Sequence, residues 1–89
     1  MEIKAKEGDW VTLYKVSDDV FGGNHPNGIY TNYVQRGTLV KDVTIGERCN
    51  VVGKHYNDYL STSKVTEIID EITFKTENST YTIEKNEDL

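Results

Sequence analysis

Helix-forming and cross-linking residues are scarce in this sequence. Its 89 residues include one cysteine, one proline, one alanine, one tryptophan and only four leucines. A single cysteine, Cys49, forms no disulfide framework, and with two distant histidines, His25 and His55, it makes no zinc-ligand spacing. One alanine and few leucines exclude a helical bundle, since these are strong helix formers. No stretch approaches the ~18 consecutive apolar residues of a membrane-spanning helix. The first seven residues, Met1-Glu2-Ile3-Lys4-Ala5-Lys6-Glu7, lack the apolar core of a signal peptide. These features point to a soluble, cytoplasmic protein. Basic residues are also in the minority: ten Lys/Arg stand against fifteen Asp/Glu, a net charge of −5. That balance argues against direct nucleic-acid binding, because a phosphate backbone would meet a repulsive far field. Lys41, Arg36, Arg48, Lys54 and Lys64 leave room for a local basic cluster.

Residues that suit strands are abundant. Nine Val, seven Ile, ten Thr and six Tyr are stiff at χ1 or aromatic and fit a pleated, half-buried surface. Trp10 to Val16 reads as a first strand that stops at Ser17-Asp18-Asp19. The segment to Gly28 is dense in turn formers and contains Pro26, so it reads as a long surface loop. Extended character resumes from Ile29 to Gln35, and Arg36-Gly37 reads as a tight turn into Thr38-Leu39-Val40. Arg48 to Val52 is a further strand, with Cys49 as a small buried hydrophobe. Gly53 to Tyr59 is a polar loop with aromatics, and Leu60 to Ile69 is a strand or a loop tightening into one at Val65. Ile72 to Thr76 and Tyr81 to Glu84 alternate as two arms of a hairpin. About five to seven short antiparallel strands joined by turns predict an all-β domain, a small SH3-like barrel, with loose termini at 1–8 and 85–89. The expected core is Leu13, Ile29, Leu39, Val43, Ile45, Val51, Val65, Ile68, Ile72, Phe74, Tyr81 and Ile83.

Chemistry-bearing patterns are thin. There is no phosphate-binding loop or dinucleotide fingerprint, and Phe21-Gly22-Gly23-Asn24 reads as a turn. Asp18-Asp19 is not followed by calcium-loop spacing. Ser61-Thr62-Ser63 offers hydroxyls near His55 but no nucleophile elbow. No catalytic, cofactor or metal site is expected. Two surfaces remain. Beyond Thr66 seven acids face two lysines, and Glu67, Asp70 and Glu71 form a candidate acidic rim. Phe21, His25, Tyr56 and Tyr59 are large side chains in loops, the residue types that anchor interfaces. An alternative use of the second loop is a ligand pocket lined by Arg48, His55, Tyr56 and Tyr59.

The C-terminal third, Thr62-Ser63-Lys64-Val65-Thr66-Glu67-Ile68 followed by Phe74-Lys75-Thr76-Glu77-Asn78-Ser79-Thr80-Tyr81, resembles small β-rich proteins of bacteriophages and mobile elements. Gly37-Thr38-Leu39 and Ile45-Gly46-Glu47 look like the same group, although Lys64 stands where that group often has Pro. Physically, Phe74 and Tyr81 would anchor the two hairpin arms. Asn78-Ser79 would make the turn through side-chain bonds to backbone, and Thr62-Ser63 would cap the start of the preceding strand. The resemblance implies a phage-type binding protein acting in a bacterial host. It would dock its acidic rim and loop aromatics on a host protein, such as a defence nuclease or a transcription or replication factor, and inhibit or redirect it. A pocket that sequesters a small molecule or nucleotide and a virion-associated assembly role are the alternatives.

Overall fold

Alternation of inward apolar and outward polar residues carries through most of the chain, and this period of two builds the sheet. A computed structural model of the chain describes residues 2–18, 33–54 and 58–86. These contain β1 (Trp10–Asp18), β2 (Val34–Leu39), β3 (Arg48–Val52), β4 (Tyr59–Ile68), β5 (Thr73–Thr76) and β6 (Ser79–Lys85). Each strand pairs antiparallel with the next, and β1 also pairs with β6, so the sheet closes into a barrel. Among the described residues, closure leaves no unpaired outer strand and lets one core serve all six strands. The fold is all-β, and the barrel is of the small SH3-like kind that the sequence predicts.

Val11, Leu13, Leu39, Cys49, Val51, Leu60, Val65, Phe74, Tyr81 and Ile83 fill the interior. Phe74 and Tyr81 sit opposite each other on β5 and β6, with ring centroids 5.6 Å apart and planes 18° from parallel. They are the hairpin anchors expected from sequence. Ile3 and Ala5 are also buried in this core, although the charged segment before β1 reads as a loose terminus. Their spacing of two turns both side chains inward. Lys4 N–H donates to Glu71 C=O at 2.8 Å, and Gly8 N–H donates to Leu39 C=O at 2.8 Å.

Other expectations change. Arg36-Gly37 is not a turn but the middle of β2, paired with Thr12 and Val11. Glycine is needed there because a Cβ would run into the Val52 backbone. Ile45 is 58% exposed rather than buried, because its backbone makes only an isolated bridge to Val65 before the chain turns at Gly46, where φ is +94°. Ile68 and Ile72 are half-buried, Ile68 packing against the core. Ile29 and most of the 17–28 loop lie outside the described residues.

Thr62-Ser63 lies within β4 instead of capping its start. The register of β3 against β4 slips between Arg48↔Lys64 and Asn50↔Ser61, which takes Cys49 N–H out of the ladder. The Thr62 hydroxyl, buried inside the barrel, accepts that N–H at 3.0 Å and donates to Ser63 C=O at 2.7 Å. A buried amide left unmatched by the bulge thus gains a partner. At the β5–β6 turn the organiser is Thr76. Its hydroxyl oxygen accepts the N–H groups of Asn78 and Ser79 at 3.3 and 3.2 Å, while the Asn78 amide reaches Ser63 Oγ at 3.3 Å.

Candidate functional site

The acidic rim is held on β4 and the turn that follows it. Glu67, Asp70 and Glu71 are all exposed. The turn is bonded from several directions: Ile69 N–H donates to Thr73 C=O at 2.9 Å, and the N-terminal segment is tied to Glu71 C=O. Asp70 also bonds within the turn, its carboxylate accepting Ile72 N–H at 2.9 Å. That bond from Ile72, followed by those from Thr73, holds the Asp70 carboxyl below its ordinary range. Glu67 is paired in register with Lys75 on β5. The backbone of the rim is therefore held in place, and one of its carboxylates also has a structural task.

Tyr59 opens β4 at its other end and is 59% exposed. Eight residue steps along the strand separate it from Glu67, about 26 Å of contour at ~3.3 Å per residue. The acidic rim and this loop aromatic therefore do not form one patch. Phe21, His25, His55 and Tyr56 lie outside the described residues. Arg48 shares the outer face with Tyr59, at the far end of the β3–β4 hairpin. Arg48 is opposite Lys64, and Tyr59 is opposite Val52, with about 13 Å of β3 between the two rungs. An open groove of about 460 Å³ lies elsewhere, lined by Lys4, Ile72, Ile83, Glu84 and Lys85.

Cys49 is buried, and burial pushes its thiol up to about 12. Only the thiolate is a competent nucleophile, so this side chain acts as a small core residue. Lys15 is a placement that sequence reading missed: it is 1% exposed, inside the barrel wall next to Leu13. The signal was present in the period of two, because Val11, Leu13 and Lys15 fall on one face. Gln35 is buried as well. Its amide donates to Asp58 Oδ1 at 2.9 Å and so ties β2 to the segment leading into β4.

Compared with protein-family models, with curated proteins and with solved structures, the chain matches none. Among the described residues no group of three or more His, Cys, Asp or Glu is placed to hold a metal ion. Nor, among the described residues, is any helix long and apolar enough to cross a membrane.

Proposed function

We propose that this chain is a non-catalytic binding domain of the phage type that its C-terminal pattern resembles. It docks its acidic end on a basic surface of a host protein in the bacterial cytoplasm and inhibits or redirects that protein. The observation that carries this reading is the fixed geometry of the acidic turn. Exposed carboxylates carried on a backbone already hydrogen-bonded in place leave only side-chain freedom to lose on docking. Residues 67–72 carry three acids and no base, so the field at this turn attracts Lys/Arg-rich surfaces and speeds their encounter. Partners with a nucleic-acid-binding surface fit this description. Tyr59, at the other end of β4, is not part of that contact.

The test is affinity capture from bacterial lysate with the wild-type chain and with a Glu67→Lys/Asp70→Asn/Glu71→Lys variant. Asparagine at 70 removes the charge yet keeps an oxygen for Ile72 N–H. One stoichiometric partner should be captured at low salt, lost at high salt and lost by the variant. Equal capture by both proteins would refute docking through the acidic end.

A further inference from the structure

Charge is distributed unevenly around the barrel. The outward positions of β2 are Val34, Arg36 and Thr38, and those of β3 are Arg48, Asn50 and Val52. On β4, Tyr59, Ser61 and Lys64 follow opposite β3. Lys54 is exposed just beyond β3. Continuing the Thr38↔Val52 register beyond its last rung sets Arg36 level with Lys54. Residues 34–39 and 48–64 together hold four basic residues and one acid, Asp58, whose Oδ1 is engaged by Gln35. A chain of net −5 thus carries a local excess of three positive charges across β2, β3 and the first part of β4, short of Glu67.

None of these four cations forms an ion pair among the described residues, whereas Lys6, Lys41 and Lys85 are paired with Glu2, Glu47 and Asp9. Arg48 and Lys64 stand directly opposite each other across β3 and β4. Like charges so placed destabilise a sheet unless an anion lies between them. The Arg48 guanidinium is oriented by a bond from Nη1 to Thr62 C=O at 3.1 Å, with its remaining donors free for another acceptor. Between the Arg36/Lys54 level and the Arg48/Lys64 rung lies the Val52–Tyr59 pair, with Tyr59 as an exposed ring. Cations flanking a free aromatic ring along about 20 Å of strand fit a backbone of regularly spaced phosphates with a base on the ring.

We infer that the outer face of β2, β3 and the Tyr59–Lys64 part of β4 binds a short single-stranded nucleic acid. Arg36, Lys54, Arg48 and Lys64 contact phosphates, and Tyr59 stacks a base. Tyr59 selects this ligand over an acidic polypeptide, because a polyanionic peptide has no flat group for the ring. The convex outside of a small barrel selects a pliant single strand over a duplex. This surface shares no residue with the acidic end, so either proposal stands or falls without the other.

The experiment is fluorescence anisotropy of a labelled dT12 oligonucleotide against the full chain, repeated from 50 to 200 mM NaCl. Binding should fall with salt, with a log–log slope of about −3 for four phosphate contacts. Tyr59→Ala should weaken it about tenfold or more, and Tyr59→Phe should retain it. Lys64→Ala should lower the slope by about 0.7 while melting no lower than wild type, since it removes a like-charge pair. Absence of dT12 binding at 50 mM NaCl would overturn the inference. Equal affinity for a 12-bp duplex would also overturn it, as would full displacement by polyglutamate together with an unchanged Tyr59→Ala variant.

Discussion

Replacing Gly37 by alanine tests how closely β2 approaches the Val52 backbone. In an ordinary strand, replacing glycine by alanine stabilises by about 0.5–1 kcal/mol through reduced backbone entropy in the unfolded chain. Here the added Cβ would stand 2.5 Å from the carbonyl carbon of Val52 and 2.8 Å from Gly53 N, and would overlap the Val52 carbonyl oxygen. These are backbone atoms, so no rotamer change relieves the overlap. β2 and β3 share two paired rungs, Thr38↔Val52 and Leu39↔Val51, next to this point, and the strands must part where they are least connected. Overpacking costs about 1–3 kcal/mol, and each hydrogen bond weakened at the seam adds about 1 kcal/mol. After subtracting the entropy gain, Gly37→Ala should destabilise by about 3 kcal/mol. For a domain of this size that corresponds to a fall in Tm of roughly 12–24 °C. Circular-dichroism melts and urea titration would measure it. Gly46→Ala is the control: its φ of +94° is strained for alanine but nothing crowds the new Cβ, so the cost should be only about 1–2 kcal/mol. A Gly37→Ala protein that melts at or above wild type would refute the steric account.

Thr76→Val removes the hydroxyl that accepts the Asn78 and Ser79 amides, and should cost about 1–3 kcal/mol, with faster hydrogen exchange at those two amides. Cys49 should stay unreactive toward a disulfide reagent at pH 8 in the folded protein and react fully in denaturant. Its raised pKa also fixes a sign: from about 9, the ordinary thiol value, up to about 12, the unfolded chain loses the thiol proton first. Stability present below pH 9 is therefore lost as pH rises toward 12, by up to ~1.4 kcal/mol per pH unit, and Cys49→Ala should flatten that part of a pH–stability curve.

The period of two made the strands legible. Leu13, Leu39, Val51, Val65, Phe74, Tyr81 and Ile83 could be assigned to the interior from alternation alone, and the Phe74/Tyr81 hairpin followed from the turn residues between its arms. Alternation carries less information where the ladder slips. Thr62 and Thr76 are hydroxyl residues whose roles, patching a bulge and organising a turn, depend on amides that other strands leave unmatched. Gly37 looked like a turn because its close neighbour, the Val52 carbonyl, is fifteen residues away in the chain. The acidic rim was readable as a run of charge, since turn residues are exposed wherever the turn goes. The basic residues could be named from sequence as well, but not which of them share a face: Arg36 and Lys54 become neighbours only when β2 and β3 pair in one register, and Lys41 is paired with Glu47 instead.

The pairing of β1 with β6 sets how this chain acquires its structure. Seven rungs join the two strands, from Val11↔Lys85 to Asp18↔Ser79, and Thr12 Oγ1 donates to Asn86 Oδ1 at 2.9 Å across 74 residues of sequence. Contacts this distant cost loop-closure entropy before they return any stability, which places the barrel among slow-folding topologies. During synthesis β1 leaves the ribosome early but lacks one of its two neighbours until residues 79–85 have followed. Until then its outer backbone groups are open to any other strand. A nascent or truncated chain that stops short of β6 should therefore be sensitive to proteases and prone to aggregation, whereas the closed barrel offers no such handle.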